Sequence, residues 1–119
     1  MSDSLCEYDI QDCSEKLFSE HNLTLPKGIA TSMNGKIVVA DTMKAKVFDS
    51  SGEFLHSLCP PIDDAFLFDT VDVDTDRDGN AYVLVWMADD VHDIQSRKQW
   101  YEVFVFDKDG MLLDRKSVV

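Results

Sequence analysis

The sequence predicts an all-β fold made of two four-stranded antiparallel units. Residues 28–40 recur at residues 72–84, at an offset of 44 residues. Residues 47–55 recur at residues 105–113 with an offset of 58 residues, so the second copy holds 14 extra residues between its two halves. A repeat of this length that consists of strands and turns is typical of the blades of a β-propeller.

Each unit contains four predicted strands separated by turn residues. The strands of the first unit are predicted at residues 28–31, 36–40, 45–49 and 53–58. Those of the second unit are predicted at residues 70–74, 81–87, 101–107 and 111–118. Gly35 and Gly79 lie in the first turn of each unit, where a tight hairpin requires a positive φ that glycine adopts freely. Short strands at such close spacing indicate an antiparallel architecture.

The two most apolar strands carry apolar residues at every position. They are residues 81–86 and 103–106, and they lie between glycine-containing turns. A sheet with one face in water would instead alternate apolar and polar residues. Because β-branched and aromatic residues dominate, strands are favoured over a helix. The pattern predicts sheets that are covered on both faces, as in blades that stack radially, and therefore predicts a neighbour for each unit.

The repeats divide the chain into three predicted segments. Residues 25–60 form the first blade, and residues 61–119 form the second blade with a hairpin insertion at about residues 87–99. Residues 1–24 form an N-terminal arm or a partial blade. Two interpretations of this extra segment stay open, because it weakly resembles the two outer strands of a blade but Ser14 could also begin a short helix.

The net charge of −12 limits the classes of partner. It arises from 23 acidic and 11 basic residues, and the basic residues are scattered along the chain. Nucleic-acid binding requires a basic face that displaces counterions from phosphates. We therefore expect neither nucleic acid nor an anionic membrane as a partner, and no stretch is long and apolar enough to span a bilayer.

The cysteines and the N-terminal residues indicate an intracellular protein. Cys6, Cys13 and Cys59 form neither an even disulfide framework nor a metal-ligand spacing. Free thiols are typical of a reducing compartment. The first twenty residues are acidic, which is atypical of a secretory signal. A cytoplasmic location is the prediction that follows.

Three stretches of the first unit resemble one NHL repeat. They are Leu-Pro-Lys-Gly-Ile-Ala at residues 25–30, Asn-Gly-Lys-Ile-Val-Val-Ala-Asp-Thr at residues 34–42 and Val-Phe-Asp-Ser-Ser-Gly-Glu-Phe-Leu at residues 47–55. The resemblance extends well over residues 25–58 and moderately over residues 69–118. The Asn-His-Leu triplet that names the family is missing, and the second copy has residues 86–100 in place of the Ala-Asp-Thr segment.

The resemblance implies a fold and several functions. NHL repeats commonly build six-bladed propellers that bind protein or RNA, and some related propellers are metal-dependent lyases or lactonases. Two blades make only part of such a ring. The resemblance therefore implies one of three assemblies, namely three copies that close a ring, a dimer that buries the open faces, or a longer propeller of which these blades are a part.

Asp74, Asp76 and Asp78 precede Gly79 in the pattern that opens a calcium-binding loop. Hard cations bind several carboxylate oxygens that converge from alternate positions of such a loop. The twelfth position is Val85 rather than a bidentate glutamate, which excludes an EF-hand. A hairpin-loop calcium site remains an alternative to ordinary turn residues, for which Asp and Gly are favoured. Our main prediction is that no metal and no cofactor is bound.

No catalytic site can be assembled from the sequence. His21, His56 and His92 are far apart along the chain, whereas a catalytic metal centre needs converging ligands and an open position. The sequence contains no nucleophile elbow and no glycine-rich phosphate loop. Because function must be argued from a site, we predict that the protein is not an enzyme.

Aromatic residues bracket the insertion in the second unit. Trp86 precedes it, and Trp100 and Tyr101 follow it. Large aromatic side chains beside polar loops are typical of interface anchors. The alternative is that the three side chains pack between the blades, as large aromatic residues often do. We name them as candidate interaction residues.

The predicted function is that of a non-enzymatic interaction or scaffold module built from NHL-like propeller blades. It is expected to bind protein or peptide and to self-associate as a dimer or trimer, or to belong to a longer propeller. One alternative is a fragment of a propeller hydrolase or lyase whose catalytic residues lie on other blades. Another is the substrate-recognition part of a ubiquitin ligase of the tripartite-motif type.

Overall fold

The computed structural model describes residues 23–90 and 94–118, which form eight strands and one short 3-10 turn. The strands are β1 (Pro26–Thr31), β2 (Ile37–Asp41), β3 (Lys44–Phe48), β4 (Phe54–Leu58), β5 (Phe66–Thr75), β6 (Ala81–Asp89), β7 (Gln99–Phe106) and β8 (Leu112–Val118). The 3-10 turn is Ile94–Ser96, between β6 and β7. Predictions for Cys6, Cys13, Ser14, His21, His92 and most of the N-terminal segment lie outside the described residues.

The strands form two antiparallel sheets in which each strand pairs with its neighbours in sequence. The orders are β1-β2-β3-β4 and β5-β6-β7-β8. The prediction of an all-β fold with two four-stranded antiparallel sheets is thus confirmed. The registers agree with the repeat, since Val38 pairs with Val47 just as Tyr82 pairs with Val105. Irregularities also recur at the corresponding points in the first and last strand pairs of both sheets.

The main difference from the predicted bounds lies in β5 and β6. β5 begins at Phe66 rather than at residue 70, and β6 extends to Asp89. Phe68 pairs with Met87 and Asp69 pairs with Trp86, so the first part of the predicted insertion continues the hairpin. The apolar residues 66–68 have no counterpart in the first repeat, which is why the repeat did not include them.

An apolar contact between one face of each sheet holds the two sheets together. Buried side chains of the first sheet and of the second sheet form one continuous apolar core. The first sheet contributes Val38, Ala40, Ala45, Val47 and Leu58, and the second contributes chiefly Val73, Val83, Val85, Met87, Phe104 and Phe106. We call this contact the joint. β5 packs there against β1, β2 and β3.

The sheets meet at the joint through faces that do not correspond. Val38 and Ala40 of the first sheet point into the joint, but their repeat counterparts Tyr82 and Leu84 lie on the other side of the second sheet. Conversely, Val83 points into the joint, whereas its counterpart Val39 lies on the far side of the first sheet. The two sheets therefore pack head-to-tail, with different repeat positions at the joint. The second face of each sheet carries the repeat positions that its neighbour uses at the joint.

Side chains of β2 and β3 on the far side of the first sheet are buried, whereas Ile29 of the edge strand β1 on the same side is 61% exposed. Val39 and Phe48 are 2% and 1% exposed, and the neighbouring ion pair of Asp41 and Lys46 is also buried, with Nζ 3.2 Å from Oδ2. Oδ1 of Asp41 accepts hydrogen bonds from the backbone N–H of Thr24 and Leu25, at 3.0 and 2.6 Å. These bonds direct the chain into β1.

Candidate interaction surface

The far side of the second sheet presents apolar side chains to solvent. Strand alternation places alternate residues of β6 and β7 on this side, opposite to the joint, and six of them are apolar or aromatic side chains that are at least partly exposed. We call these six residues the open face: Tyr82, Leu84, Trp86, Tyr101, Val103 and Val105. Tyr82 and Tyr101 are 39% and 44% exposed, and the other four are half-buried. We predicted that both faces of each sheet are covered. In the second sheet, the face at the joint is covered by the first sheet, but the open face is not covered.

Trp86 and Tyr101, two of the predicted interaction residues, are direct cross-strand partners on the open face. Nε1 of Trp86 donates a hydrogen bond to Oε1 of Gln99 at 3.1 Å, which fixes the indole across the hairpin. Cross-strand aromatic pairs stabilise a sheet and present a large rigid surface. The structure thus brings these two residues together where a partner could contact them.

Trp100, the third predicted interaction residue, lies on the opposite side of the sheet. It pairs with the buried Met87 and packs against the core, with its ring edge-on to Phe66 at a centroid distance of 5.6 Å. Its Nε1 donates to Oε2 of Glu102 at 2.7 Å. Consecutive strand residues point to opposite faces, so Trp100 and Tyr101 cannot share one surface. Trp100 packs as the core alternative anticipated.

Glu102 connects Trp100 to the edge strand β8. Its Oε1 lies 2.5 Å from Nε of Arg115, whose guanidinium lies 4.8 Å from the centre of the Phe104 ring. The hydrogen bond from Arg115 lowers the pKa of Glu102 below its usual value of 4.5, and the bond from Trp100 acts in the same direction against partial burial. This cluster lies on the joint side and holds β8 onto β7.

The aspartates of the predicted calcium loop serve the turn between β5 and β6. Oδ1 of Asp76 accepts hydrogen bonds from the backbone N–H of Asp78 and Asn80, both at 2.9 Å, and Oδ2 accepts one from the Tyr82 hydroxyl at 3.0 Å. Oδ1 of Asp74 accepts instead from the N–H of Thr75. Within residues 23–90 and 94–118, no group of three Asp, Glu, His or Cys side chains could hold a metal ion.

The same hydrogen-bonded turn recurs elsewhere in the two sheets. Asp49 and Asp107 each accept bonds from the N–H groups two and four residues later, as Asp76 does. Desolvation raises the pKa of Asp76, but the bonds from Asn80, Tyr82 and Asp78 together outweigh it and hold the pKa below 3.8. The repeated geometry supports a structural role for this carboxylate.

Two concave regions lie near the joint and the hairpin tips. Lys36, His56 and Asp107 help to line a cavity of about 10 Å³ between the sheets, which has room for roughly one water molecule. A shallow groove of about 200 Å³ lies between the β1–β2 and β5–β6 turns, where Met33 faces Arg77 and Asp78. The histidine is thus a joint residue, and neither region gathers the groups of a catalytic centre.

Sequence reasoning identified Trp86 and Tyr101 but missed the other members of the open face. For Tyr82, Leu84, Val103 and Val105 the sequence pattern predicts only that they belong to strands with two apolar sides. All four correspond in the repeat to buried joint residues of the first sheet, namely Val38, Ala40, Ala45 and Val47, so the apolar pattern of the sequence does not distinguish them from core residues.

None of the helical segments in the described parts of the chain is long and apolar enough to cross a membrane. Neither a protein-family model nor a curated protein matches the chain.

Proposed function

We propose that this chain is a non-enzymatic protein-interaction module built from two NHL-like propeller blades, and that it self-associates. One observation carries the proposal: the open face consists largely of the repeat counterparts of residues that are buried at the joint. A position that is apolar in both repeats but buried in only one of them requires a further contact.

The exposure of the open face is costly enough to favour association. Burying an apolar side chain of this size stabilises a contact by about 1.5–3 kcal/mol, and monomeric proteins rarely leave large contiguous apolar patches in water. Tyrosine and tryptophan are also the residue types enriched at the centres of interfaces. Trp86, Tyr101 and Tyr82 supply that chemistry here.

Charge supports a protein or peptide partner rather than nucleic acid. Asp69, Asp72 and Asp74 of β5 lie beside the open face, on the same rows as its residues in β6. Such a rim repels phosphates, whereas a protein partner can present both apolar and basic groups. The exposed free thiol of Cys59 supports action in a reducing compartment, consistent with a cytoplasmic module.

The mass of the protein in solution tests this proposal. The full chain has a mass of 13.5 kDa, and we expect light scattering in about 0.15 M salt to give a larger mass that rises with concentration. Screening is needed because each copy carries a net charge of −12. A mass that stays at the monomer value up to millimolar concentration contradicts self-association.

A further inference from the structure

The open face is a continuous apolar surface on two central strands. Its six residues form three cross-strand pairs at alternate rows of β6 and β7, and each of these strands has a neighbour on both sides in the sheet. Exposed apolar residues such as Ile29, Leu55 and Leu113 lie instead on the edge strands β1, β4 and β8. Single exposed apolar residues are common on protein surfaces, whereas a contiguous patch marks a contact site. The open face is therefore the surface whose exposure requires a partner.

Two carboxylates without a basic partner border the open face. Asp72 pairs across the sheet with Leu84, Asp74 pairs with Tyr82, and both aspartates are exposed. Each accepts a hydrogen bond from the backbone N–H of the next residue, and neither forms an ion pair with any residue of 23–90 or 94–118. Alternate residues of a strand lie on one side, about 7 Å apart. We call Asp72 and Asp74 the acidic edge.

The remaining charged side chains of β5 and β8 on this side are paired within the chain. Asp69 pairs with Lys27 of the first sheet. On β8, Nζ of Lys116 lies 3.7 Å from Oδ2 of Asp114. The uncompensated charge on these two strands is therefore negative and belongs to the acidic edge. A second copy of the chain, with a net charge of −12, brings more charge of the same sign, whereas a basic segment brings the opposite sign.

A single extended peptide is a poor fit to the open face. β6 and β7 are hydrogen-bonded to a strand on each side, so their backbone groups are already paired. An extended segment lying on the face would leave its own N–H and C=O groups unpaired in an apolar contact, which is costly. A helix instead satisfies most of its backbone groups internally. The partner structures that remain are a helix and a sheet.

A sheet that packs as the second sheet packs on the first meets a steric obstacle on the open face. At the joint, a Cβ atom added to Gly28 would lie 2.9 Å from Cα of Asp72, a distance that real structures avoid. The corresponding position beside the open face is Asp72 itself, and Leu84 takes the place of the fully buried Ala40. A further sheet would therefore meet larger side chains at the point of closest approach. A helix packs on a sheet through its own side chains and requires no glycine there.

We infer that a basic amphipathic helix of another protein docks on the open face, with its apolar stripe on β6 and β7 and its lysine or arginine residues beside the acidic edge. The inference rests on the proposed function, since it names a partner that competes with a second copy for the same surface. Basic residues four positions apart lie about 6 Å apart along a helix, close to the spacing of about 7 Å between Asp72 and Asp74. A helix parallel to the strands therefore sets one basic residue beside each carboxylate.

Calorimetric titration of the full chain with a synthetic helical peptide tests the inference. The probe contains about 14 residues, with leucine along one stripe of the helix and lysine elsewhere, so that it is long enough to form an amphipathic helix. We expect a 1:1 complex that is at least about tenfold tighter than the complex with the same peptide carrying glutamate in place of lysine. Binding should change the tryptophan fluorescence of wild type much more than that of Trp86→Phe, because the indole of Trp86 lies in the contact.

Neutralising the acidic edge tests the charge contact. Asp72→Asn with Asp74→Asn removes both charges but keeps an oxygen for the backbone N–H of the next residue. We expect this double variant to bind the lysine peptide about threefold to tenfold more weakly, since exposed ion pairs contribute modestly. Glu53→Gln with Asp64→Asn is the matched control, because it changes the net charge equally, from −12 to −10, at exposed residues outside the second sheet. The control should bind like wild type.

Leu84→Thr tests the apolar contact and keeps a residue type that favours strands. We expect it to bind the lysine peptide about tenfold more weakly, because the partner no longer buries a leucine side chain. Val103→Thr repeats the test on β7 with a side chain of nearly unchanged volume. Ile29→Thr is the control, since Ile29 is 61% exposed on the edge strand β1, and it should bind like wild type. Circular dichroism establishes that each variant is folded before its affinity is measured.

The outcomes separate this inference from the proposed function. Binding of the lysine peptide that both the charge variant and the apolar variants weaken supports the inference, and such binding should also dissociate an oligomer that uses the open face. Self-association without peptide binding, equal binding of the two peptides, or binding that the open-face variants leave unchanged overturns the inference and leaves the interaction module standing. A chain that neither self-associates nor binds the peptide overturns both.

Discussion

Thr70 of the second sheet donates two hydrogen bonds to the backbone carbonyl of Thr42 in the first sheet. The backbone N–H of Thr70 lies 2.5 Å from this oxygen, and its hydroxyl oxygen lies 2.8 Å away. Thr42 has a φ of 58°, which is rare for a β-branched residue. The fully buried Thr70 therefore holds a strained turn against the second sheet and connects the two repeats by polar bonds as well as by packing.

Removing the Thr70 hydroxyl should weaken the joint. We expect Thr70→Val to lower the free energy of unfolding by about 1–2 kcal/mol, because the Thr42 carbonyl loses one of its two donors in a buried position. Urea denaturation followed by circular dichroism measures this change. Thr75→Val is the matched control, since its hydroxyl donates to the carbonyl of Thr31 at 2.8 Å in a more exposed place, and we expect a smaller loss. Equal losses would contradict a special role for Thr70.

Gly28→Ala should destabilise the joint through steric contact. The new methyl group would meet the backbone of Asp72, which cannot turn away as a side chain can. We expect a loss of about 1–3 kcal/mol, as for other substitutions that overpack a close contact. Ile29→Ala alters the neighbouring exposed residue and should change the melting temperature very little. An unchanged melting temperature for Gly28→Ala would show that β1 and β5 approach less closely.

The repeat and the two-sided apolar strands predicted all eight strands with small errors in their bounds. They could do so because glycine-containing turns and β-branched residues determine the positions of turns and strands through local backbone preferences. The orientation of Trp100 could have been predicted from strand alternation, since residues adjacent in a strand point to opposite sides. The sequence suggested grouping Trp100 with Tyr101 because both border one insertion, whereas the pairing of Trp100 with Met87 places it in the core.

The open face could not be predicted from apolar pattern alone. Tyr82 and Val38 occupy the same repeat position and have the same strand pattern, yet only Val38 is buried by a neighbouring sheet. That difference arises from which face each sheet presents to the joint, which is a property of the assembled fold. The bonds of Thr70 to Thr42 likewise connect distant residues that no local pattern relates.

The two tryptophans should respond in opposite ways to substitution. Trp100→Ala should lower the free energy of unfolding by about 3–5 kcal/mol, because it empties a space beside Phe66 and leaves Glu102 without one of its donors. Trp86→Ala should reduce self-association with a much smaller loss of stability, because Trp86 lies on the open face. Thermal melting and light scattering on both variants measure the two effects. The reverse pattern would contradict the assignment of the two sides.

The carboxylate of Asp76 should matter for the turn and not for calcium. We expect Asp76→Ala to lower the melting temperature through the loss of several hydrogen bonds in the turn, whereas Asp78→Ala should have a smaller effect. Addition of calcium or of a chelator should leave the melting temperature of the wild-type protein unchanged. A native-state ligand must stabilise the fold, so a rise with calcium would revive the calcium-loop alternative.

The protein should lose stability in acid partly through Glu102. Its pKa is lowered in the folded state, chiefly by the hydrogen bond from Arg115, so the folded state binds a proton less readily than the unfolded chain. The resulting stabilisation is present above the unfolded pKa of about 4.5 and is lost as the pH falls through the lower folded value. Glu102→Gln should therefore be less stable than wild type at pH 7, and the difference should shrink towards pH 3. Urea denaturation across this range measures the effect, with Glu53→Gln, in an exposed turn, as the control. A difference between Glu102→Gln and wild type that stays constant with pH would show that the contact with Arg115 contributes no charge-dependent stability.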